Sequence, residues 1–269
     1  LPLLEQGTSL MRRAKAARTE ENVRALTSLG TTYLRLGRID SARRTYRRVQ
    51  GLAIRLGLDA LNAKALSGLG LVEWLRRRFD VAADYLVDAR DAFERVEDLP
   101  EMSRVLTNLG IVRREQGRYQ EALRILDQAI RIKERLNDGG GRSAALDETA
   151  QVLLAMGRTT EAARAARRAI REAQAAGDRM REGEAQVTLG RVLRARGLDR
   201  DGVAMLRGAL ENFRRLGMPG RVAALSAEVS AALAGTGAEA EAARQVKLAR
   251  HPSPHSKERS VEAAPLPLL

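Results

Sequence analysis

Residues 104–117 read RVLTNLGIVRREQG, and residues 118–136 continue as RYQEALRILDQAIRIKERL. Apolar and small residues recur at steps of three and four on both sides of Gly117, the spacing of one face of an α-helix. Because glycine readily adopts the positive φ that ends a helix, we expect Gly117 to close one helix before the next begins. The stretch therefore predicts a hairpin of two amphipathic helices.

The same hairpin pattern recurs every forty residues along the chain. A single hairpin cannot bury both of its faces, so successive copies have to stack on one another. Small residues in fixed columns mark the points where the stacked helices approach closely. The repeat therefore predicts an all-α fold. The columns are Leu26, Leu66, Leu106 and Leu146; Gly30, Gly70, Gly110 and Gly190; Ala42, Ala82, Ala122 and Ala162; and, at the turn, Gly37, Gly117, Gly157 and Gly197 with Arg77 in the second copy.

This order of residues resembles the tetratricopeptide repeat. The usual unit of that family has 34 residues, whereas the longer unit here is similar to the repeats of kinesin light chains, LGN-type polarity adaptors and bacterial signalling regulators. The resemblance implies a right-handed solenoid of antiparallel helical hairpins and a role in protein–protein interaction. In the first copy it rests on Leu26, Leu29, Gly30, Tyr33, Gly37, Ala42 and Tyr46, with Val49 where alanine is usual.

The forty-residue register also predicts the organisation of the chain. We expect a solenoid over 1–250 and a disordered tail over 251–269, which contains Pro252 and Pro254. Residues 3–17 occupy a second-helix position without a first helix before it, so we expect a fragment of a longer array. Thr149-Ala150, Gly202 and Ser230 depart from the pattern and predict looser packing there. The predicted units are a partial repeat at 1–20 and repeats at about 21–60, 61–100, 101–140, 141–180, 181–220 and 221–250.

The composition excludes several classes of protein. The 269 residues include no Cys, which excludes disulfide scaffolds and thiol chemistry, and the two histidines, His251 and His255, both lie in the predicted tail. No uncharged stretch approaches the ~20 apolar residues that span a bilayer. The net charge is +13, and only five of the 47 basic residues are Lys. These features predict a cytoplasmic protein with a folded core.

No arrangement of residues in the sequence indicates catalysis. Carboxylates occur beside arginines at helical spacing, as in Glu121 with Arg124, which is typical of surface ion pairs. The glycine run at 139–141 lacks the preceding strand and the following Gly-Lys-Ser or Gly-Lys-Thr of a phosphate-binding loop. We therefore expect no enzyme activity, no cofactor and no metal site.

The resemblance places the binding surface on the first helix of each hairpin. Seven basic residues against three acidic ones predict a mildly positive groove. Trp74 is flanked there by Leu71 and Leu75. An exposed Trp beside Leu is typical of a binding anchor, and the alternative is a Trp side chain wedged between hairpins. Asn108 could hold a peptide backbone, and Arg104 a carboxylate. The implied groove residues are Arg24, Thr31, Lys64, Leu71, Trp74, Leu75, Arg104, Thr107, Asn108, Ile111, Arg114, Gln151, Arg191 and Arg194.

Three hypotheses of function follow. The first is a non-enzymatic scaffold that binds an acidic or amphipathic peptide segment in the groove, as part of a larger bacterial-type regulatory protein. The second is binding of nucleic acid or another anionic surface by the second helices, through Arg43, Arg44, Arg47 and Arg48; the scarcity of stacking aromatics argues against single strands. The third is a spacer or dimerisation module for effector domains, with a homodimer formed through terminal helices.

Overall fold

The computed structural model describes residues 5–6 and 19–234, and the structural statements below concern those residues. From residue 19 onward they contain eleven helices and no strand. Turns of about three residues join the helices, so the chain reverses at each turn. The helices are α1 Glu20–Arg35, α2 Ile39–Leu56, α3 Asp59–Leu75, α4 Phe79–Arg95, α5 Leu99–Glu115, α6 Tyr119–Arg135, α7 Gly139–Ala155, α8 Thr159–Ala175, α9 Arg179–Ala195, α10 Asp199–Arg215 and α11 Pro219–Ala234.

The described residues form two compact units that divide after Ile132. In the first unit, α1 packs on α2 and α3 on α4, and each second helix also packs on the first helix of the next hairpin. First helices also contact one another, α1 with α3 and α3 with α5. The second unit repeats this scheme from α7 to α11. The prediction of an all-α fold of stacked helical hairpins is confirmed.

First and second helices bury different shares of their surface. In α5, a first helix, every residue from Val105 to Val112 is buried, because other helices pack against several of its sides. In α2, a second helix, burial follows a single stripe through Ala42, Tyr46, Val49 and Ala53. The opposite face of each second helix is therefore exposed, as an amphipathic pattern predicts.

The turns within the hairpins form where the glycine column predicts them. Gly37, Gly117, Gly157 and Gly197 all have positive φ. Arg77 takes the same left-handed conformation, with a φ of 58°, although it carries a side chain. Its guanidinium carbon lies 5.3 Å from the centre of the Phe79 ring, a cation–π contact that compensates part of the strain. The position in the repeat therefore sets the conformation even where glycine is missing.

The expected loosening at Gly202 is not found. A Cβ atom added to Gly190 would lie 2.9 Å from the Gly202 carbonyl oxygen, whereas one added to Gly70 would lie 3.3 Å from the equivalent oxygen of Ala82. A second glycine therefore lets α9 and α10 approach more closely than α3 and α4 do. The departure from the alanine column tightens this crossing.

The glycine run at 139–141 forms the first turn of α7. The Asp138 carboxylate accepts a hydrogen bond from the Gly141 backbone N–H at 2.8 Å and caps the helix. The buried Lys133 Nζ lies 3.5 Å from the same carboxylate. A Cβ atom on Gly141 would overlap the Asp138 carboxylate. The glycine thus makes room for an acidic cap, and a carboxylate at this position would repel a phosphate.

Parts of the predicted organisation fall outside the described residues. These are most of the partial repeat at 1–20, the tail at 251–269, and Gly237, Ala242 and Ala249 of the sixth copy. The Tyr33 hydroxyl donates a hydrogen bond to Glu5 Oε1 at 2.7 Å, so Glu5 lies against α1. The domain boundaries remain a prediction.

Candidate functional site

A groove with a volume of about 340 Å³ runs across the first helices α1, α3 and α5 of the first unit. Two side chains from second helices, Tyr46 and Phe93, also line it. It brings together five of the predicted site residues: Thr31, Lys64, Leu71, Arg104 and Asn108. We call this surface the groove; its lining residues are Thr27, Ser28, Thr31, Tyr46, Lys64, Ser67, Gly68, Leu71, Phe93, Glu101, Arg104 and Asn108.

Two cations in the groove share a single carboxylate. Lys64 Nζ lies 3.1 Å from Glu101 Oε1, and Arg104 Nη1 lies 3.1 Å from Glu101 Oε2. The side chains of Lys64 and Arg104 are 39% and 38% exposed, so solvent reaches both. Sequence reasoning missed Glu101, although its spacing of three residues before Arg104 is a signal for an ion pair on one helix face. The groove keeps a positive excess, but one smaller than predicted.

The Tyr46 ring forms the aromatic floor of the groove. Its hydroxyl lies 3.0 Å from the Thr31 hydroxyl, within hydrogen-bond distance. Burial raises the pKa of Tyr46 to about 12, so the phenol stays neutral at physiological pH. A Cβ atom on Gly68 would come within 2.5 Å of the ring. Gly68, which stands where the third copy has Asn108, therefore makes room for the ring.

Several predicted residues contribute to packing. Thr107 is buried and donates to the Ser103 carbonyl oxygen at 2.9 Å, and Ile111 is buried beside it on α5. Trp74 is half-buried against a core cluster with residues from α3, α4, α5 and α6, and its indole nitrogen is enclosed. Leu75 packs on a second cluster that includes Leu34. These four residues do not line the groove, and Trp74 takes the wedged position.

The remaining predicted basic residues each have an acidic neighbour. Arg191 and Glu228, in the second unit, form a bidentate pair at 2.8 and 2.7 Å. Arg194 Nε lies 3.5 Å from Asp199. In the first unit, Arg114 pairs with Glu115 at 3.0 Å and Arg24 pairs with Glu20. Acidic residues thus largely neutralise the positive charge predicted for the first helices, and most of these acidic residues were not among the predicted groove residues.

A buried carboxyl group, that of Asp147, lies on α7, a first helix of the second unit. Asp147 on α7 accepts a hydrogen bond from Gln151 Nε2 at 2.9 Å. The pKa of Asp147 is raised to about 6, mainly by burial and in smaller part by the nearby Glu184; hydrogen bonds from Thr188 and Gln151 and the charge of Arg181 act in the opposite direction. Gln151, a predicted binding residue, is thus engaged with this carboxyl group.

Replacing Asp147 by Asn should stabilise the second unit at neutral pH. Because the pKa is higher in the folded chain than the ordinary value of 3.8, the folded state binds more protons between about pH 4 and 6 and loses stability as the pH rises through that window. We expect Asp147→Asn to raise the free energy of unfolding at pH 7.5 by up to about 3 kcal/mol, and to change it little at pH 4. Urea unfolding at both pH values measures this difference. An equal effect at the two pH values would contradict it.

Two further properties of the described residues bear on function. None of the helices in residues 19–234 is long and apolar enough to cross a bilayer. The same residues contain no group of three His, Cys, Asp or Glu side chains placed to hold a metal ion.

Comparison of the folded chain with solved structures identifies similar helical arrays. The apo form of RapI has a TM-score of 0.71 at 13% identity, over 92% of this chain and 90% of that one. A Rap protein complexed with Competence and Sporulation Factor has a TM-score of 0.63 at 14% identity, over 86% and 77%. Repeats of a putative kinesin light chain from Podosopora anserina have a TM-score of 0.55 at 18% identity, over 73% and 97%. At these identities the likeness shows the fold alone.

Comparison at the level of sequence identifies the family. No curated protein matches the chain significantly. The tetratricopeptide repeat model matches residues 21–95, 61–135 and 101–175, which together cover more than half of the 269 residues. These matches follow the forty-residue step, and the kinesin light chain repeats are among the similar structures, as the sequence resemblance predicts. The chain belongs to the tetratricopeptide repeat family.

Proposed function

We propose that this chain is a non-enzymatic, cytoplasmic scaffold of a regulatory protein, and that its groove binds an acidic or amphipathic segment of a partner protein. Repeats of this family typically serve as scaffolds for protein–protein interaction. The observation that carries the proposal is the sharing of Glu101 by Lys64 and Arg104, which leaves a solvent-accessible positive charge in a concave surface.

The rest of the groove presents polar side chains above a buried apolar base. Leu71, Phe93 and the Tyr46 ring form the apolar base beneath the groove, because each of them is at most 2% exposed. The more accessible Ser28 and Ser67 supply hydroxyl groups. A carboxylate of the partner can form charge-assisted hydrogen bonds with Lys64 and Arg104. The complex of a Rap protein with Competence and Sporulation Factor supports the idea that an array of this fold can hold a partner molecule.

Glu101 should act as a competitor of the partner carboxylate. It already occupies the space between the two cations, so replacing it by Gln removes the internal neutralising charge and leaves the other lining residues unchanged. We expect Glu101→Gln to strengthen, and Arg104→Glu to weaken, the binding of acidic peptides by about tenfold each. The probes are peptides selected on the wild-type chain from a random display library, with affinity measured by fluorescence anisotropy.

The control replaces an exposed arginine outside the groove. Arg118 lies at the turn before α6 and pairs at 3.9 Å with Glu121, so Arg118→Glu should leave peptide affinity unchanged. Selected peptides without an excess of acidic residues would contradict the proposal. Equal affinity of the wild type and Arg104→Glu for acidic peptides would contradict it as well.

A further inference from the structure

Three basic residues occupy equivalent positions on the first helices α1, α3 and α5. Arg24, Lys64 and Arg104 follow one another at the forty-residue step, and we call them the cation column. Lys64 and Arg104 line the groove, and so do Thr27 and Ser28, which lie one turn after Arg24 on α1. Because residues three and four apart share one side of a helix, Arg24 lies on the groove side of α1. The cation column therefore extends over all three first helices of the groove.

The cation column is confined to the first unit. The equivalent residues of the later copies are Ala144, Glu184 and Ala224. A general surplus of arginine in the chain would place basic residues at this position in every copy. The column is therefore a feature of the groove and not of the overall composition.

Contacts between the first helices set the spacing of the cation column. The helix α1 packs against α3, and α3 packs against α5. Helices in contact lie about 10 Å apart, axis to axis, and equivalent residues lie at the same level of neighbouring hairpins. Successive positions of the column are therefore about 10 Å apart across the groove.

The two gaps in the cation column differ. Glu101 on α5 joins Lys64 to Arg104. Its equivalent on α3 is Leu61, which is apolar and buried. Among residues 19–234, no carboxylate joins Arg24 to Lys64. The gap between α1 and α3 therefore lacks the acidic group that the gap between α3 and α5 contains.

The ion pair of Arg24 leaves its charge accessible. Its guanidinium pairs with Glu20, one turn earlier on the same helix, and the two side chains are 67% and 45% exposed. Water screens such a pair, so its carboxylate is easily exchanged for another. Ser28 on α1 and Ser67 on α3 add hydroxyl donors to the groove. The gap between Arg24 and Lys64 therefore suits a carboxylate from outside the chain.

The volume of the groove favours an extended segment over a helix. The groove has a volume of about 340 Å³. Seven residues of an α-helix, which span one step of about 10 Å, occupy about 800 Å³ with their side chains. Three residues of extended chain span the same step, at about 3.3 Å each. An extended segment therefore fits the groove better and reaches successive cations with side chains three residues apart.

We propose that the segment bound in the groove is extended and carries two acidic side chains three residues apart, which the cation column recognises. One carboxylate lies between Arg24 and Lys64, and the other replaces Glu101 between Lys64 and Arg104. Both form charge-assisted hydrogen bonds with the cations. This specificity rests on the proposed function, since it defines the segment that the groove binds.

Isomeric peptides test the spacing. Short labelled peptides of Gly and Ser with blocked ends carry two glutamates placed one, three or five residues apart. All three isomers have the same net charge, so a difference in affinity reports the spacing. We expect the isomer with a spacing of three to bind the wild-type chain about fivefold more tightly than either of the others, in fluorescence anisotropy at about 50 mM salt.

Arg24→Gln separates the effect of spacing from that of overall charge. The Arg24 side chain is exposed, so the variant should unfold at the wild-type temperature. Because it removes one end of the cation column, the isomer with a spacing of three should lose about fivefold in affinity and bind no better than the other two. The matched control is Arg118→Gln, which changes an exposed arginine outside the groove and should keep the preference for a spacing of three.

Two results would overturn this specificity and leave the proposed function intact. One is binding of the acidic isomers by the wild type without a preference for a spacing of three. The other is an equal loss of affinity for all three isomers in Arg24→Gln, which would show that only the total charge matters. Failure of every acidic peptide to bind would instead contradict both the specificity and the proposed function.

Discussion

Alanine at Gly190 is expected to lower the free energy of unfolding by about 3 kcal/mol. The added Cβ atom would lie 2.9 Å from the Gly202 carbonyl oxygen and 2.8 Å from Leu206 Cγ. A backbone carbonyl at a helix crossing cannot rotate away, and close-packed interiors have no space for a shift. The two helices α9 and α10 must therefore separate, which opens the contact between them. Urea unfolding followed by circular dichroism measures the change.

The matched control is another glycine of the same hairpin. Gly208 lies on the exposed side of α10, where a Cβ atom would meet only Gln186 Oε1 at 3.8 Å. Gly208→Ala should stabilise the helix by about 0.5 to 1 kcal/mol. The two substitutions are expected to change the free energy of unfolding in opposite directions. The comparison therefore separates the effect of helix propensity from the effect of the close approach between α9 and α10. A neutral or stabilising Gly190→Ala would show that the crossing is not close-packed.

Replacing Glu73 by Gln is expected to lower the free energy of unfolding by about 3 kcal/mol. Glu73 is buried at the end of α3, and its carboxylate lies 3.0 Å from Arg43 Nε, 3.5 Å from Arg76 Nη1 and 3.8 Å from Arg78 Nη1. Gln keeps the shape and removes the charge, so the half-buried Arg43 and Arg76 lose their counter-ion. Their partial access to water keeps the loss at the lower end of the range for buried pairs.

An exposed pair gives the control for this second prediction. Glu211 and Arg215 lie one turn apart on the surface of α10, at 3.0 Å. Glu211→Gln should change stability by less than about 1 kcal/mol, because water screens this pair. Thermal or urea unfolding of both variants provides the comparison. Similar losses for Glu73→Gln and Glu211→Gln would mean that the buried carboxylate does not hold the hairpins together.

The Gly190 and Glu73 predictions use information of different kinds. The Leu–Gly column shows directly that Gly190 lies at a helix crossing, because the column recurs at the period of the hairpins. The role of Glu73 is not visible in the sequence, since its nearest partner, Arg43, is 30 residues away on another helix. Equivalent positions in other copies carry Arg113 and Leu153, so the forty-residue register does not indicate a carboxylate at this point.

Sequence alone determined the helical hairpins, their period and their turns. Apolar spacing and the conformational freedom of glycine act over a few residues, so Gly37 and Gly117 end their helices wherever the hairpin packs. Even Arg77 adopts the left-handed conformation of the glycine column, because the forty-residue repeat leaves the same number of residues for each turn. The same columns of Leu, Gly and Ala also indicated the tetratricopeptide repeat family.

Only the tertiary structure decided what the groove contains. Glu101 reaches Lys64 across 37 residues, and Tyr46 enters the groove because Gly68, on another helix, leaves room for its ring. Trp74 lies with the core because its neighbours on α4 and α5 enclose it. Such contacts depend on which side chains the stacked hairpins bring to the same level, and the local pattern of one helix contains no information on the helix that packs against it.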